Sequence, residues 1–218
     1  MRLSLIKLIP KTLDSITFNS LRPLSLSVED NKIYSTVFCR RINEVTPFII
    51  NAFQSGGISG RNVNASVLLM HLIMTYCSII KEDGFIFSID NTKAFDRINR
   101  EFMYFAMKLF NINHKLVDAI ENLYKDNKAK ISVNGYFTQT FAVTNGVKQG
   151  DPLAALCYVC VVEGLVRTVH QERSLKFLTL PNQFTVRTIQ HMDDLSFFIK
   201  TTQTIRNILK IINYFNIA

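Results

Sequence analysis

The chain has 218 residues, 48% of them hydrophobic and 19% charged, a balance that allows a packed core and excludes a largely disordered protein. Its 25 lysines and arginines outnumber its 17 aspartates and glutamates, which gives a net charge of +8 at pH 7. A basic surface attracts polyanions, so nucleic acid is the first partner to consider. Composition alone fits a basic protein without such a ligand equally well.

The cysteines and the most apolar stretch predict neither a disulfide framework nor a membrane span. Cys157 and Cys160 form a CxxC pair in an apolar run, but no second Cys/His pair stands at zinc spacing, so we expect buried helix thiols. Lys7 and Lys11 interrupt the first apolar stretch, which therefore does not resemble a signal peptide. Polar residues dilute Val63–Ile80, and we interpret it as a core helix.

In chain order, the first predicted region is irregular. Prolines and a Gly-Gly pair interrupt the apolar runs of residues 1–60, where we expect one helix near Lys32–Glu44. A second helix is predicted from about Asn62 to Ile80. Phe85–Ile89 is then a short apolar run bounded by a turn, which is typical of a buried strand, and Asp90 stands at its end.

Two amphipathic helices and a hairpin follow. Asn99 can cap the first helix, whose apolar face is predicted to comprise Phe102, Phe105, Ala106, Leu109 and Phe110. The face predicted for the second helix comprises Leu116, Val117, Ile120, Leu123 and Tyr124. Asn134-Gly135 between two apolar runs indicates a two-residue hairpin.

The last third of the chain combines a buried helix with two strands. Asp151-Pro152 is typical of an N-cap followed by proline at the first helical position, and the apolar helix it opens extends to about Val169. Strand-like residues 185–190 and 195–200 flank the tetrad His191–Asp194, and a final helix begins at about Gln203. The elements lack a regular βαβ rhythm, so α+β is the predicted class.

Three aspartates stand out by position. Asp193 and Asp194 lie between two apolar strands, where their mutual repulsion is weakly screened. A hairpin tip pointing into a cleft fits this pattern, and a solvated turn is the simpler alternative. Asp90 ends another strand, and if the strands were neighbours three carboxylates would meet at one point. Hard cations such as Mg²⁺ take oxygen ligands and are usually held by one or two carboxylates plus substrate phosphates. Spacing alone does not establish that the strands are neighbours.

From about Leu8 to Ala218 the sequence resembles the reverse transcriptase domain of non-LTR (LINE-type) retrotransposons. The resemblance rests on short motifs that occur in the family's order: Leu8–Lys11, Arg22–Leu26, Gln54–Gly56, Gly60-Arg61, Asp90–Arg97, Val133–Gly135, Gly146–Leu153 and the tetrad that ends in Asp193-Asp194. The run Gly146–Leu153, which reads Gly-Val-Lys-Gln-Gly-Asp-Pro-Leu, is the most specific of them.

The resemblance implies an α+β right-hand polymerase fold of fingers and palm, with an antiparallel palm sheet flanked by helices and no thumb in this sequence. It assigns residues 1–83 to the fingers and 84–218 to the palm, with 98–145 as a segment that both could share. The implied activity is that of an RNA-directed DNA polymerase, a nucleotidyltransferase. Asp90, Asp193 and Asp194 would be catalytic and would ligate two Mg²⁺ ions, for which Mn²⁺ could substitute.

Further roles follow from the resemblance alone. Phe95 matches a steric gate against a 2′ hydroxyl, with an ordinary core phenylalanine as the alternative. Lys11 and Arg22 match cations that neutralise the triphosphate of the incoming nucleotide, with solvated surface charges as the alternative. Gln149 and Gly150 match a loop that lies against nucleotide and template.

The implied partners are an RNA template, a DNA primer and deoxynucleoside triphosphates, with no membrane. Arg61 is expected to contact template phosphate. We expect an intracellular protein, and the nucleus is a compartment that fits the family.

Two departures from the family pattern leave alternatives open. His191-Met192 stands where the family has an aromatic residue followed by a small one, and this pair could crowd the primer end. The sequence also stops where the family continues toward its thumb, which we expect of a partial or decayed copy. The alternatives are a catalytically inactive retrotransposon remnant that at most binds nucleic acid, and another palm-superfamily enzyme acting on different nucleotides.

Overall fold

The structure, a computed structural model, describes residues 3–11, 17, 20–180 and 184–217. In chain order its elements are β1 (Leu3–Pro10), β2 (Leu21–Leu26), α1 (Glu29–Asn43), α2 (Thr46–Ile49), α3 (Val63–Ile80), β3 (Phe85–Ile89), α4 (Arg100–Leu109), α5 (His114–Tyr124), β4 (Lys128–Val133), β5 (Tyr136–Phe137), β6 (Phe141–Ala142), α6 (Ala154–Gln171), β7 (Thr188–His191), β8 (Asp194–Ile199) and α7 (Thr202–Ile217). They form two compact units, the first from residues 1–44 and 95–158 and the second from 45–94 and 159–218. The division into fingers (1–83) and palm (84–218) stays a prediction.

The first unit is built on a mixed sheet in which β2, β1, β4 and β5 are neighbours in that order and β6 pairs with β4. β1 pairs antiparallel with β2 and parallel with β4. The irregular structure predicted for residues 1–60 is therefore wrong here, because the prolines do not break the strands. Pro10 ends β1, and Pro23 lies on β2 at the edge of the sheet, where proline is tolerated.

The hairpin predicted at Asn134-Gly135 is confirmed. It joins β4 to β5, and its two central residues have φ of +50° and +85°. Both angles lie in the left-handed region that a type I′ turn requires, which is why asparagine and glycine occupy these positions. The predicted face of α5 is confirmed as well, since Val117, Ile120 and Tyr124 are buried.

Helix α4 begins as predicted, with the Asn99 side chain capping its first turn. Its predicted apolar face is wrong in part. Met103 and Met107, one helical turn apart, are fully buried, whereas Phe105 is 60% exposed and Leu109 is 69% exposed. The hydrophobicity of the phenylalanines misled the prediction, because the flexible methionines fill the interior instead.

The apolar helix α6 is buried, and Cys157 and Cys160 are fully buried free thiols, as predicted. Burial raises the pKa of the Cys160 thiol to about 12, as expected of an unreactive structural cysteine. The predicted start of the helix is too early. The Asp151 carboxylate accepts a hydrogen bond from the backbone N–H two residues later, and the helix begins only at Ala154, so Pro152 lies in the preceding turn.

The second unit contains a three-stranded antiparallel sheet in which β8 lies between β3 and β7. This arrangement confirms the predicted antiparallel sheet. β3, however, is not the buried strand that its apolar run predicts, since Phe85 is 44% exposed and Ile86 is 42% exposed. β3 forms an edge of this sheet, and an apolar run by itself does not distinguish an edge strand from a central one.

Helix α3 begins after its N-cap Asn62 and ends at Lys81, which adopts the left-handed conformation. One side of it packs on a buried cluster, whose members are Ile73, Leu178, Val186, Ile189 and Phe198. The prediction of a core helix is wrong in extent, because Ile73 is its only buried residue and apolar residues such as Leu72 are exposed. Within the described ranges α3 alone is long and apolar enough to cross a membrane, judged by length and composition.

Candidate catalytic carboxylates and nucleotide-binding residues

The second unit's sheet brings the three predicted aspartates together at the edge where β3 ends and β8 begins. Ile89 pairs with Leu195 in the β3–β8 ladder, so Asp90, one residue further on, lies beside Asp194, the first residue of β8. The next pair of the same ladder, on the side away from the aspartates, is Ser88 with Ser196, whose hydroxyls are 2.7 Å apart. Because side chains alternate between faces, this contact identifies the face from which Asp90 and Asp194 project.

Asp193 lies in the two-residue turn that joins β7 to β8, between the paired residues His191 and Asp194. The predicted hairpin tip is therefore present. Asp90 and Asp194 are exposed, and Asp193 is half-buried.

The donor set fits a hard cation. Like charges on facing positions of a ladder are destabilising, and a cation bound between them would remove that cost. Over the residues the structure describes, no three acidic, histidine or cysteine side chains already gather closely enough to hold a metal. Mg²⁺ usually takes one or two carboxylates and completes its octahedral shell with water and substrate phosphates. Carboxylate oxygens are ligands of the type that Mg²⁺ takes, and the metal site itself stays a prediction.

The aspartate turn is held by a segment from the same unit. Gln54, fully buried, accepts hydrogen bonds at its side-chain oxygen from the backbone N–H groups of Gly56 (2.9 Å) and Met192 (3.1 Å). Its side-chain nitrogen lies 3.3 Å from the Gln190 side-chain oxygen. Ser55 donates its hydroxyl to the Gln190 carbonyl and lies 3.1 Å from a ring nitrogen of His191. The residues around Gln54 thus continue the sheet beyond β7.

Met192 adopts a φ of +56°, which non-glycine residues rarely do. Its side chain and backbone lie against Gly56, where an added Cβ would stand 2.5 Å from Met192 Cγ and 2.6 Å from Met192 N. Glycine is therefore required at this position for the two backbones to approach. The bulk of Met192, which the sequence suggested would crowd the primer end, packs against this glycine.

Arg61, expected to contact template, has extensive contacts within the protein. Its guanidinium donates to the backbone carbonyls of Pro47, Ile50, Asn51 and Gln54, at distances of 2.5 to 3.4 Å. Desolvation lowers the pKa of Arg61, and the carboxylate of Glu163 opposes that effect. These contacts account for the arginine without a nucleic acid, and the template contact stays a prediction.

The predicted nucleotide residues lie in the first unit, where two glycines hold a loop in place. Gly146, at φ +74°, approaches Asp96 so closely that an added Cβ would be 2.6 Å from the Asp96 carbonyl oxygen. The Gln149 side chain donates to the Asp96 carboxylate at 3.0 Å. The backbone carbonyl of Gln149 accepts a hydrogen bond from Ser25 N on β2 at 2.9 Å. Gly150, at φ +95°, lies against β2. The loop therefore has a fixed conformation.

Phe95, the predicted steric gate, is half-buried and stacks on Tyr158, with ring centroids 5.1 Å apart and planes inclined by 27°. Its backbone carbonyl accepts a hydrogen bond from Val147 N at 2.8 Å, which ties it to the same loop. The stack fixes the plane of the ring and leaves part of it accessible. This environment is compatible with a gate, and equally with a partly buried core residue.

Lys11 and Arg22 lie near each other at one end of the β1–β2 hairpin. Arg22 pairs with Ile9, and the N–H of Lys11 bonds to the carbonyl of Ser20, so the two cations are diagonal neighbours on one face. The ladder registers place further lysines on that face; together the cations are Lys7, Lys11, Arg22, Lys128 and Lys130. We call these five residues the basic face.

Sequence reasoning missed several residues that hold the predicted ones. The sequence indicated Asp96 only as a member of the motif Asp90–Arg97, and nothing distinguished Tyr158 from the other apolar residues of α6. Gln54 carried a detectable signal, since it opens the Gln54–Gly56 motif. Of the basic face the sequence singled out Lys11 and Arg22; the addition of Lys128 and Lys130 depends on the parallel pairing of β1 with β4, which the sequence does not reveal.

The chain is similar to known proteins along nearly its whole length. A family model described as reverse transcriptase (RNA-dependent DNA polymerase) matches residues 9–216. The "Transposon TX1 uncharacterized 149 kDa protein" of Xenopus laevis is 25% identical over 74% of this chain and 12% of its own length. The retrovirus-related Pol polyprotein from the type-2 retrotransposable element R2DM of Drosophila melanogaster is 24% identical over 95% of this chain and 19% of its own length. The chain thus spans a fifth or less of these relatives.

Solved structures share the fold at low sequence identity. Telomerase from Candida tropicalis, solved in complex with a fragment of telomeric RNA, superposes with a TM-score of 0.66 at 11% identity, covering 96% of this chain and 38% of its own. The apo form of that telomerase, truncated from its C-terminal domain, gives a TM-score of 0.60 at 12% identity, over 97% of this chain and 46% of its own. The chain therefore belongs to the reverse transcriptase (RNA-dependent DNA polymerase) family and is similar to its non-LTR retrotransposon members.

Proposed function

We propose that this chain is the catalytic core of an RNA-directed DNA polymerase, which joins deoxynucleotides to the 3′ hydroxyl of a primer paired with an RNA template. The observation that carries the proposal is the strand register that sets Asp90 beside Asp194, next to the turn that holds Asp193. Family membership supports the reaction class. The relatives are several times longer than this chain, so their activity does not by itself extend to these 218 residues. That these residues are active by themselves is therefore part of the proposal.

Asp90, Asp193 and Asp194 would hold two Mg²⁺ ions, with Mn²⁺ as a substitute. When bound, such ions supply positive charge that stabilises the attacking and leaving oxygens of an in-line phosphoryl displacement. The role of the protein is to collect the carboxylates at one sheet edge and to keep them there. The paired strands would do so through a ladder whose last pair, Ile89 with Leu195, directly adjoins Asp90 and Asp194.

The residues of the first unit would bind the nucleotide. Lys11 and Arg22 present adjacent cations, which suit the negative charge of a triphosphate. Gln149 and Gly150 offer a loop whose conformation is fixed by Asp96 and β2, a preorganised surface for the nucleotide. Phe95 would exclude a 2′ hydroxyl with a ring whose plane is fixed by stacking.

A second function, nucleic-acid binding without synthesis, is favoured by one observation. The basic face gathers five cations in the first unit, and binding through them does not require the carboxylates. Electrostatic contacts of this kind give affinity for any polyanion and depend strongly on salt.

Primer extension on an RNA template distinguishes the two functions. The assay uses deoxynucleotides with Mg²⁺ or Mn²⁺ and compares the chain with Asp193→Asn and with Asp83→Asn. Asp83 is a matched control, since it is an exposed aspartate just before β3, at the opposite end of the strand from Asp90. We expect extension that Asp193→Asn abolishes and Asp83→Asn retains. Salt-sensitive binding without extension would support the inactive remnant instead.

A further inference from the structure

Gln54 lies outside the three carboxylates, yet its contacts reach the turn that carries one of them. It is fully buried, and a buried amide is costly unless its hydrogen-bonding groups are satisfied. Its oxygen accepts from Gly56 N and Met192 N, and its nitrogen approaches the Gln190 side chain. Every polar group of the side chain therefore has a partner in the 54–56 segment or the β7–β8 hairpin.

The contact with Met192 N is unusual for a tight hairpin. In a two-residue hairpin the ladder uses the backbone groups of the flanking residues, here His191 and Asp194, and leaves the N–H groups of the central residues for solvent. Here one of these central N–H groups bonds to a buried side chain from another segment. The turn is consequently fixed by Gln54 as well as by its own strands.

The same contact explains two unusual features of the turn. Met192 is held at φ +56°, a conformation that needs support from its surroundings when the residue is not glycine. Gly56 allows the close approach, because a Cβ there would collide with Met192 N, the atom that donates to Gln54. A glutamine acceptor, a glycine without a side chain and a left-handed methionine form one arrangement.

We propose that Gln54 is a positioning residue for the proposed polymerase site, which sets the orientation of Asp193 by holding the N–H of Met192. The N–H of Met192 belongs to the peptide group between His191 and Met192. Asp193 follows Met192 directly, so a rotation of that peptide group displaces the Asp193 carboxylate. Residues that orient metal ligands typically change metal affinity or activity by about 10- to 100-fold when they are replaced. The inference rests on the proposed function only for its catalytic consequence; the restraint on the turn is a separate, measurable property.

The test compares Gln54→Met, which removes the acceptor at similar length, with Thr204→Val. Thr204 is a buried hydroxyl of the same unit that accepts a hydrogen bond from Lys176 N. It lies on α7, beyond the end of β8 that is remote from Asp194. Both variants lose a buried polar interaction, but only one of these contacts the aspartate turn. Gly56→Ala provides a second perturbation of the turn if Gln54→Met does not fold.

Three quantities are measured: amide hydrogen exchange of peptides covering residues 188–196, Mn²⁺ affinity by electron paramagnetic resonance, and kcat and KM for primer extension. We expect Gln54→Met to accelerate exchange in the turn, to weaken Mn²⁺ binding about tenfold or more, and to lower kcat with little change in the KM for primer–template. Thr204→Val should leave the turn and Mn²⁺ binding unchanged.

The outcomes separate the two proposals. Equal protection of the turn in the parent chain and Gln54→Met, or equal Mn²⁺ affinity with protection lost, overturns the positioning role. If the parent chain shows a Gln54-dependent turn but neither binds Mn²⁺ nor extends a primer, the restraint stands and the polymerase function is refuted. Equal effects of Thr204→Val and Gln54→Met on Mn²⁺ binding would mean that Gln54 acts only through stability.

Discussion

Replacing Arg61 by methionine distinguishes a structural arginine from a template contact. The guanidinium donates to four backbone carbonyls between Pro47 and Gln54. Hydrogen bonds to charged groups contribute roughly 1.5–3 kcal/mol each in mutational series. Because Arg61 is half-buried, water can replace part of these bonds, and we expect a net loss of about 2–4 kcal/mol in the free energy of unfolding.

The assay is urea denaturation followed by circular dichroism, with Arg173→Met as the control. Arg173 is an exposed arginine of the same unit, so both variants lose the same charge. With a urea dependence of about 2 kcal/mol per molar, the expected loss lowers the midpoint by about 1–2 M for Arg61→Met. Arg173→Met should change it little.

The reasoning is refuted if Arg61→Met is no less stable than Arg173→Met. A template contact would show itself differently: stability would be unchanged, and the slope of the logarithm of RNA affinity against the logarithm of salt concentration would fall by about one. Both measurements on the same two variants therefore decide between the roles.

Three further predictions concern the first unit. Phe95→Ala should raise ribonucleotide incorporation relative to deoxynucleotide incorporation, with exposed Phe105→Ala as control; an unchanged ratio in primer extension would rule out the gate. Gly146→Ala should destabilise the chain by about 2–4 kcal/mol in urea denaturation, since its Cβ meets the backbone of Asp96 at a positive φ, and a loss below about 1 kcal/mol would contradict this. Desolvation raises the pKa of Asp151 above its ordinary 3.8, so this group favours the folded state most at low pH, and that contribution is lost as pH rises through the folded-state pKa. Asp151→Asn should reduce the fall in stability from pH 4 to pH 7, and an identical pH profile would contradict the burial argument.

The sequence predicted those elements whose signals are local. Asn134-Gly135 predicts its hairpin because the turn requires two residues that tolerate positive φ. Asn99 predicts the start of α4 because a cap depends only on the following turn. The aspartates were recognised through ordered motifs, whose order a single chain displays directly.

The errors concern properties that depend on which elements become neighbours. β3 has the composition of a central strand but forms a sheet edge. α4 buries its methionines while Phe105 is exposed, and α3 buries only Ile73. Hydrophobicity measures how favourably a residue can be buried, whereas the tertiary fold decides which face receives a partner.

The three aspartates show the same division between what the sequence predicts and what the tertiary structure decides. The sequence by itself predicted that Asp90 stands at the end of one strand and that the Asp193-Asp194 pair stands where two other strands meet; in the structure Asp90 directly follows β3, and Asp194 is the first residue of β8. Only the tertiary structure decided that β3 pairs with β8 in the register that sets Asp90 beside Asp194, and that Gln54 reaches the turn. Gln54 is 138 residues from Met192 in the chain, and such a contact leaves no local signal because its formation depends on how the intervening chain folds.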